Sequence, residues 1–173
     1  MHKKTVRLRI LSLLIASLLI VVSPTPANAY VLNGWVISDP TDIQYKIGGN
    51  VGQYASMIIS CTETWETYCP EVTVICAADQ NIYFYGDLSV SNGTYAVCRH
   101  YSNEKSIITF YQSFANASAI VQQETIVHEV GHSLGLAHCD SGKESISVMR
   151  ESGFNGKAYP LSDDIAGIAD LYG

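Results

Sequence analysis

The chain has 173 residues, of which 47% are hydrophobic and 15% charged, and carries a formal net charge of −6. An excess of acid over base excludes a broad basic face for nucleic acid or anionic lipid, and the length suits one domain with one core.

The first feature in chain order is a leader. Lys3, Lys4, Arg7 and Arg9 precede an uncharged run over residues 10–22, followed by Pro24, Pro26 and Ala27-Asn28-Ala29. A basic start, a short apolar middle and a small-residue end form the pattern of a secretory signal peptide. The run is shorter than the roughly 20 apolar residues a spanning helix needs. Residues 1–29 are expected to be removed after Ala29, leaving residues 30–173 as a secreted, monomeric domain with no stable membrane association. Loss of the four leader bases takes the net charge from −6 to −10, which opposes nucleic acid as a partner. Cys61, Cys69, Cys76, Cys98 and Cys139 then lie in a disulfide-permissive compartment, where two bridges at most are expected and one thiol is left over.

Short segments rich in Val, Ile and Tyr predict strands over residues 43–47, 72–76, 82–85, 95–101 and 107–111. Between the first two, Tyr54, Met57, Ile58, Cys61 and Trp65 recur at steps of three and four, which predicts an amphipathic helix over 53–68 and a parallel crossover. The turn Ser91-Asn92-Gly93 allows an antiparallel strand to follow. A second helix is expected from Asn116 or Ser118, docking through Ile120, Val127, Val130 and Leu134 and ending at Gly135. A loop-rich stretch then leads to a last short helix over 162–171. Sheet and helices above a small irregular lower part leave room for a cleft.

The second helix carries the chemistry. Residues 128–139 read HEVGHSLGLAHC. At about 100° per residue His128 and His132 lie only about 40° apart on the helix surface, so both rings reach one metal ion. Glu129 sits about 60° further round, out of line for a third ligand but able to hydrogen-bond a metal-bound water. Gly135 permits the left-handed turn that ends a helix, after which His138 can swing back as third ligand. Three nitrogen ligands with one open position describe a catalytic zinc site, where Glu129 would take a proton from the zinc-bound water as it attacks a carbonyl.

HExxHxxGxxH is the signature of the metzincin zinc peptidases, which this chain resembles. Met149, in Ser147-Val148-Met149, looks like the Met-turn of that group, and LSDDIAGIADLYG over 161–173 is similar to the C-terminal helix of the matrixins, the matrix metalloproteinase branch. Trp35 and the strand Ile43-Gln44-Tyr45-Lys46-Ile47 also sit where matrixin domains have comparable residues. The resemblance implies an α+β metzincin fold: a twisted, five-stranded mixed sheet with two long helices, a Met-turn and a short C-terminal helix. It implies a zinc-dependent endopeptidase with one catalytic Zn2+, a protein or peptide substrate paired to the strand near 95–101, and cleavage before a hydrophobic residue. It also implies that Asp163 and Asp164 tie the last helix to the Met-turn and the N-terminus. A calcium requirement is not legible. The chain departs from the family in lacking a cysteine over 30–59, where a zinc-capping pro-segment would need one, and in having His100 as the only further histidine after the leader, too few for a structural zinc. Two other readings compete: a secreted zinc-binding protein without peptidase activity, and a zinc hydrolase such as an aminopeptidase.

Overall fold

The computed structural model describes residues 30–173; the leader expected over 1–29 lies outside them. Within these residues the chain runs β1 (Ile43–Ile47), α1 (Ala55–Tyr68), β2 (Val74–Cys76), β3 (Ile82–Asp87), β4 (Ala96–Tyr101), β5 (Lys105–Tyr111), α2 (Gln112–Ala115), α3 (Ala119–Ser133) and α4 (Ser162–Tyr172). One five-stranded sheet has the order β2-β1-β3-β5-β4. Its β1, β2, β3 and β5 are parallel, and β4 runs antiparallel to β5 with Cys98 opposite Ile108. The mixed five-stranded α+β architecture expected from the sequence is the one observed.

Alternation explains which face of the sheet is covered. Ile43 and Tyr45 of β1, Ile82 and Phe84 of β3, and Ile108 and Phe110 of β5 all point inward and are buried, as period-two spacing requires. Against them pack Ile58, Cys61 and Trp65 of α1 and Ile126, Val127 and Val130 of α3. Trp65 is wholly buried and donates its indole N–H to Val127 O at 3.2 Å, fastening α1 to α3. Each such large apolar side chain contributes roughly 1.5–3 kcal/mol by leaving water.

Several boundaries and contacts differ from the sequence expectation for identifiable reasons. β2 begins at Val74, because Val72 N–H is bonded to Cys69 O and Thr73 N–H to Pro40 O, outside the ladder. A 3-10 turn over Gly49–Tyr54 precedes α1, so the α-helix starts at Ala55. The partner of β4 is β5, through a tight turn in which Asn103 and Glu104 both adopt positive φ; the glycine turn at Gly93 only leads into the strand. Ile120 is 42% exposed in the first turn of α3, so the docking stripe starts further along, at Ile126 and Val127. The expected disulfides are a correction as well: all five cysteines are free thiols, Cys61 and Cys69 in the core and Cys76 exposed.

Candidate metal centre and catalytic cleft

α3 ends in a turn that sets the third histidine. Gly135 has φ +107, and its N–H bonds to His132 O while Leu136 N–H bonds to Gly131 O, the paired bonds of a Schellman stop. A Cβ at Gly135 would lie 2.5 Å from Trp35 O, so the position needs glycine for space and for backbone angle alike. The strand-like segment 31–33 clamps the same turn. Ala137 N–H donates to Val31 O, Asn33 N–H to Gly135 O, and the Asn33 side-chain amide to His132 O and Leu136 O.

This turn brings His128, His132 and His138 together. One ring nitrogen of each lies within 4.8 Å of the others, and the ring centroids are 4.6 to 5.3 Å apart. The orientation of two rings is fixed from behind: His128 Nδ1 faces Val148 O at 2.9 Å and His132 Nδ1 faces Leu136 O at 2.8 Å. A carbonyl can only accept, so both Nδ1 atoms carry the proton and both Nε2 lone pairs are free for a cation. Burial pushes His128 down to about 4 and His132 down to about 3, which keeps both rings neutral as ligands must be. Three converging imidazoles, two of them with a carbonyl behind, fit zinc.

Glu129 occupies the wall between this cluster and the sheet edge. It is 6% exposed, and burial pushes its carboxyl up to about 7 against an opposing hydrogen bond from the Cys98 backbone on β4. Beside it opens a cavity of about 400 Å³, bounded by Thr94, Tyr95 and Ala96 above, His128, Glu129 and His138 at the back, and the segment from Arg150 to Phe154 below. β4 is the sheet edge over this cleft.

Met149 lies under the centre, 2% exposed, with its sulfur against Gly131. Asp164 fixes that turn: it accepts Ser147 Oγ–H at 2.5 Å, Val148 N–H at 2.8 Å and Leu161 N–H at 2.8 Å, so α4 is joined to the residues beneath the histidines. Asp163 is buried at the start of α4, and its Oδ2 has no hydrogen-bond partner. Tyr30 lies across the same small recess.

Trp65, read from the sequence only as part of an apolar stripe, holds α3. Three further contributors were not singled out from sequence. Asn33 braces the turn and Gly131 makes the notch for Met149. Glu124 is 2% exposed and accepts the N–H groups of Asn155 and Gly156 at 2.8 and 2.9 Å, holding the lower rim of the cavity. Of these only Gly131 leaves a trace in the sequence, as a glycine inside an otherwise regular helical pattern.

A histidine cluster with a buried carboxyl, set under the edge of a mixed sheet, defines a zinc metallopeptidase. The profile of the Matrixin family matches residues 56–173, and the chain belongs to that family. No curated protein sequence matches it closely enough to count as a relative. Among solved structures it is similar to a chain of the GM1-bound form of the ECX AB5 holotoxin, at 15% identity and TM-score 0.63, covering 84% of this chain and 85% of that one. Two structures of myroilysin are similar at 16% and 14% identity and TM-scores 0.58 and 0.56, covering 83% and 81% of this chain and 98% and 86% of those. At these identities the likeness speaks for the fold alone.

Proposed function

We propose that the chain is a secreted endopeptidase in which His128, His132 and His138 hold one zinc ion and Glu129 is the general base. The observation that carries this reading is the position of Glu129, buried between the three rings and the open edge strand, with a cavity beside it. When bound, zinc supplies Lewis acidity, acidifying a water and polarising the carbonyl under attack. The protein does the rest. An extended peptide pairs with the free edge of β4, which presents backbone groups that no strand of the sheet uses. Glu129 takes the proton of the attacking water and returns it to the leaving amine. The carbonyls of Val148 and Leu136 keep His128 and His132 aimed while this happens.

Glu129→Ala removes the base and no ligand, so hydrolysis of an internal peptide bond should fall by at least about a hundredfold with zinc content unchanged. His128→Ala should instead lose the metal. A zinc-replete Glu129→Ala protein that still cleaves would refute the mechanism. A wild type that binds zinc and cleaves nothing would favour the binding-protein reading, and one that removes only terminal residues would favour the aminopeptidase. The leader over 1–29 supports export; the secreted protein should begin at Tyr30, and N-terminal sequencing that finds a later start would reveal a further processing step. A net charge of −10 after leader removal supports a partner other than nucleic acid.

A further inference from the structure

The cavity beside the histidines has two charged side chains with no task in the reading above, Arg150 and Glu151. Arg150 follows Met149 directly and lines the cavity wall. Its Nε is sealed from solvent and bonded to nothing among the described residues. Among those residues the one ion pair within 4.0 Å is Lys105 with Asp79, so the guanidinium has no carboxylate partner. The nearby acids do not supply one. Glu124 uses both oxygens on the amides of Asn155 and Gly156, Glu144 accepts Gly142 N–H and feels the Arg150 charge only from beyond 4.0 Å, and Glu151 is exposed at the rim. Arg150 as a whole is half-buried, but a guanidinium offers five donors in a planar fork, and a buried Nε–H without an acceptor is costly. The acceptor that best matches that fork is a carboxylate held by two parallel bonds.

Position in the cleft says which part of a substrate arrives there. β4 runs from Ala96 to Tyr101, and the cavity lies at its beginning, beside Thr94, Tyr95 and Ala96. A peptide pairing antiparallel to β4 has its C-terminal half at that end. A residue shortly after the scissile bond is then the one nearest the cavity.

We infer that Arg150 determines specificity by receiving the carboxylate of the residue immediately after the scissile bond, so that the enzyme cuts before Glu. Rings of Tyr95 and Phe154, 5.1 Å apart edge to face, line the same cavity. With about 400 Å³ available, the longer glutamate suits the site better than aspartate. This replaces the hydrophobic preference that the family resemblance implies, and it rests on the endopeptidase reading.

The test uses the zinc-loaded protein and peptides that differ only after the cut, with Glu, Leu or Lys. Wild type should favour Glu over Leu by at least about tenfold in kcat/KM, and Arg150→Met should reverse the order with zinc content and melting temperature unchanged. Should Arg150→Met not fold, Arg150→Gln replaces it in the same comparison. A wild-type preference for Leu or Lys, or a Glu-to-Leu ratio that the substitution does not alter, overturns the inference. Binding of the labelled Glu and Leu peptides to Glu129→Ala, read by fluorescence anisotropy, separates this from failure of the catalytic reading. If nothing is cleaved but the Glu peptide binds at least about tenfold tighter, and Arg150→Met in that background abolishes the difference, the site assignment stands and the peptidase reading falls. Equal binding of the two peptides overturns the site assignment.

Discussion

Gly131 lies between Val130 and His132, inside the helix that presents the ligands, where alanine would ordinarily be preferred by about 1 kcal/mol. The structure reverses that expectation. A Cβ built there would meet Met149 Sδ at 2.3 Å and Trp65 Cζ2 at 2.9 Å, well inside the separation of about 3.5–4.0 Å at which such atoms rest. Neither neighbour has room to retreat, since Met149 is 2% exposed and Trp65 0%. The Met149 backbone is held as well, its carbonyl by Cys139 N–H and its N–H by Ser147 Oγ. Overpacking of this kind costs about 1–3 kcal/mol, so after the gain in helix propensity Gly131→Ala should lose about 1 kcal/mol. In a domain of this size that is a fall of roughly 3–5 °C in melting temperature. Any displacement of Met149 also disturbs Val148 O, which orients His128, so zinc affinity should drop by about tenfold. Thermal melts in chelator measure the first effect, and titration against a zinc-binding dye the second. A higher melting temperature with unchanged zinc affinity would refute this account of the notch.

Glu124→Ala leaves two backbone amides of the lower cavity rim without acceptors, so it should cost about 2–3 kcal/mol and raise KM more than it lowers kcat. Hydrogen exchange at residues 155 and 156 should quicken, and unchanged protection there would show that Glu124 does not hold the rim. Free thiols make a further prediction: in native protein a maleimide should label exposed Cys76 fast, with Cys61 and Cys69 reacting only on unfolding. Mass spectrometry that finds intact disulfides would contradict it. Burial raises Cys61 to about 11 and Cys69 to about 12, so these thiols stay protonated in the fold while they ionise in the unfolded chain near 9. Their stabilising contribution is whole below pH 9 and is lost as pH climbs towards about 12, and Cys61→Ala with Cys69→Ala should flatten alkaline melting curves over that window.

The strands and the ligand helix were legible because each displays its pattern within a few residues: period two in Ile82 and Phe84, and an i, i+4 pair in His128 and His132. Gly135 was legible for the same reason, since a helix stop is local chemistry. What escaped was whatever depends on a distant partner. Cys61 and Cys69 suggest bridges by type and compartment, but the helix carries them into a core where neither is joined to another thiol. Ile120 fits an apolar stripe by spacing, yet it stays 42% exposed in the first turn of α3. Asn33 and Glu124 look like ordinary polar residues; only the backbone groups they meet, about 100 and 30 residues away, give them a purpose.

The three histidines lie within eleven residues of chain, whereas the groups that give the cluster its shape come from far away. Val127 is held by Trp65, 62 positions back, His128 is aimed by Val148, 20 ahead, and the turn after His132 is clamped by Asn33, 99 behind it. Bringing the three rings together closes a loop of only eleven residues, whereas docking the braces closes loops of 62, 20 and 99, so a partly folded chain could hold an ion before the braces dock. Cutting power, by contrast, must wait for the last of them, and for the edge strand and Glu129 to face each other. A partly folded copy would thus hold its metal without the geometry that cutting requires.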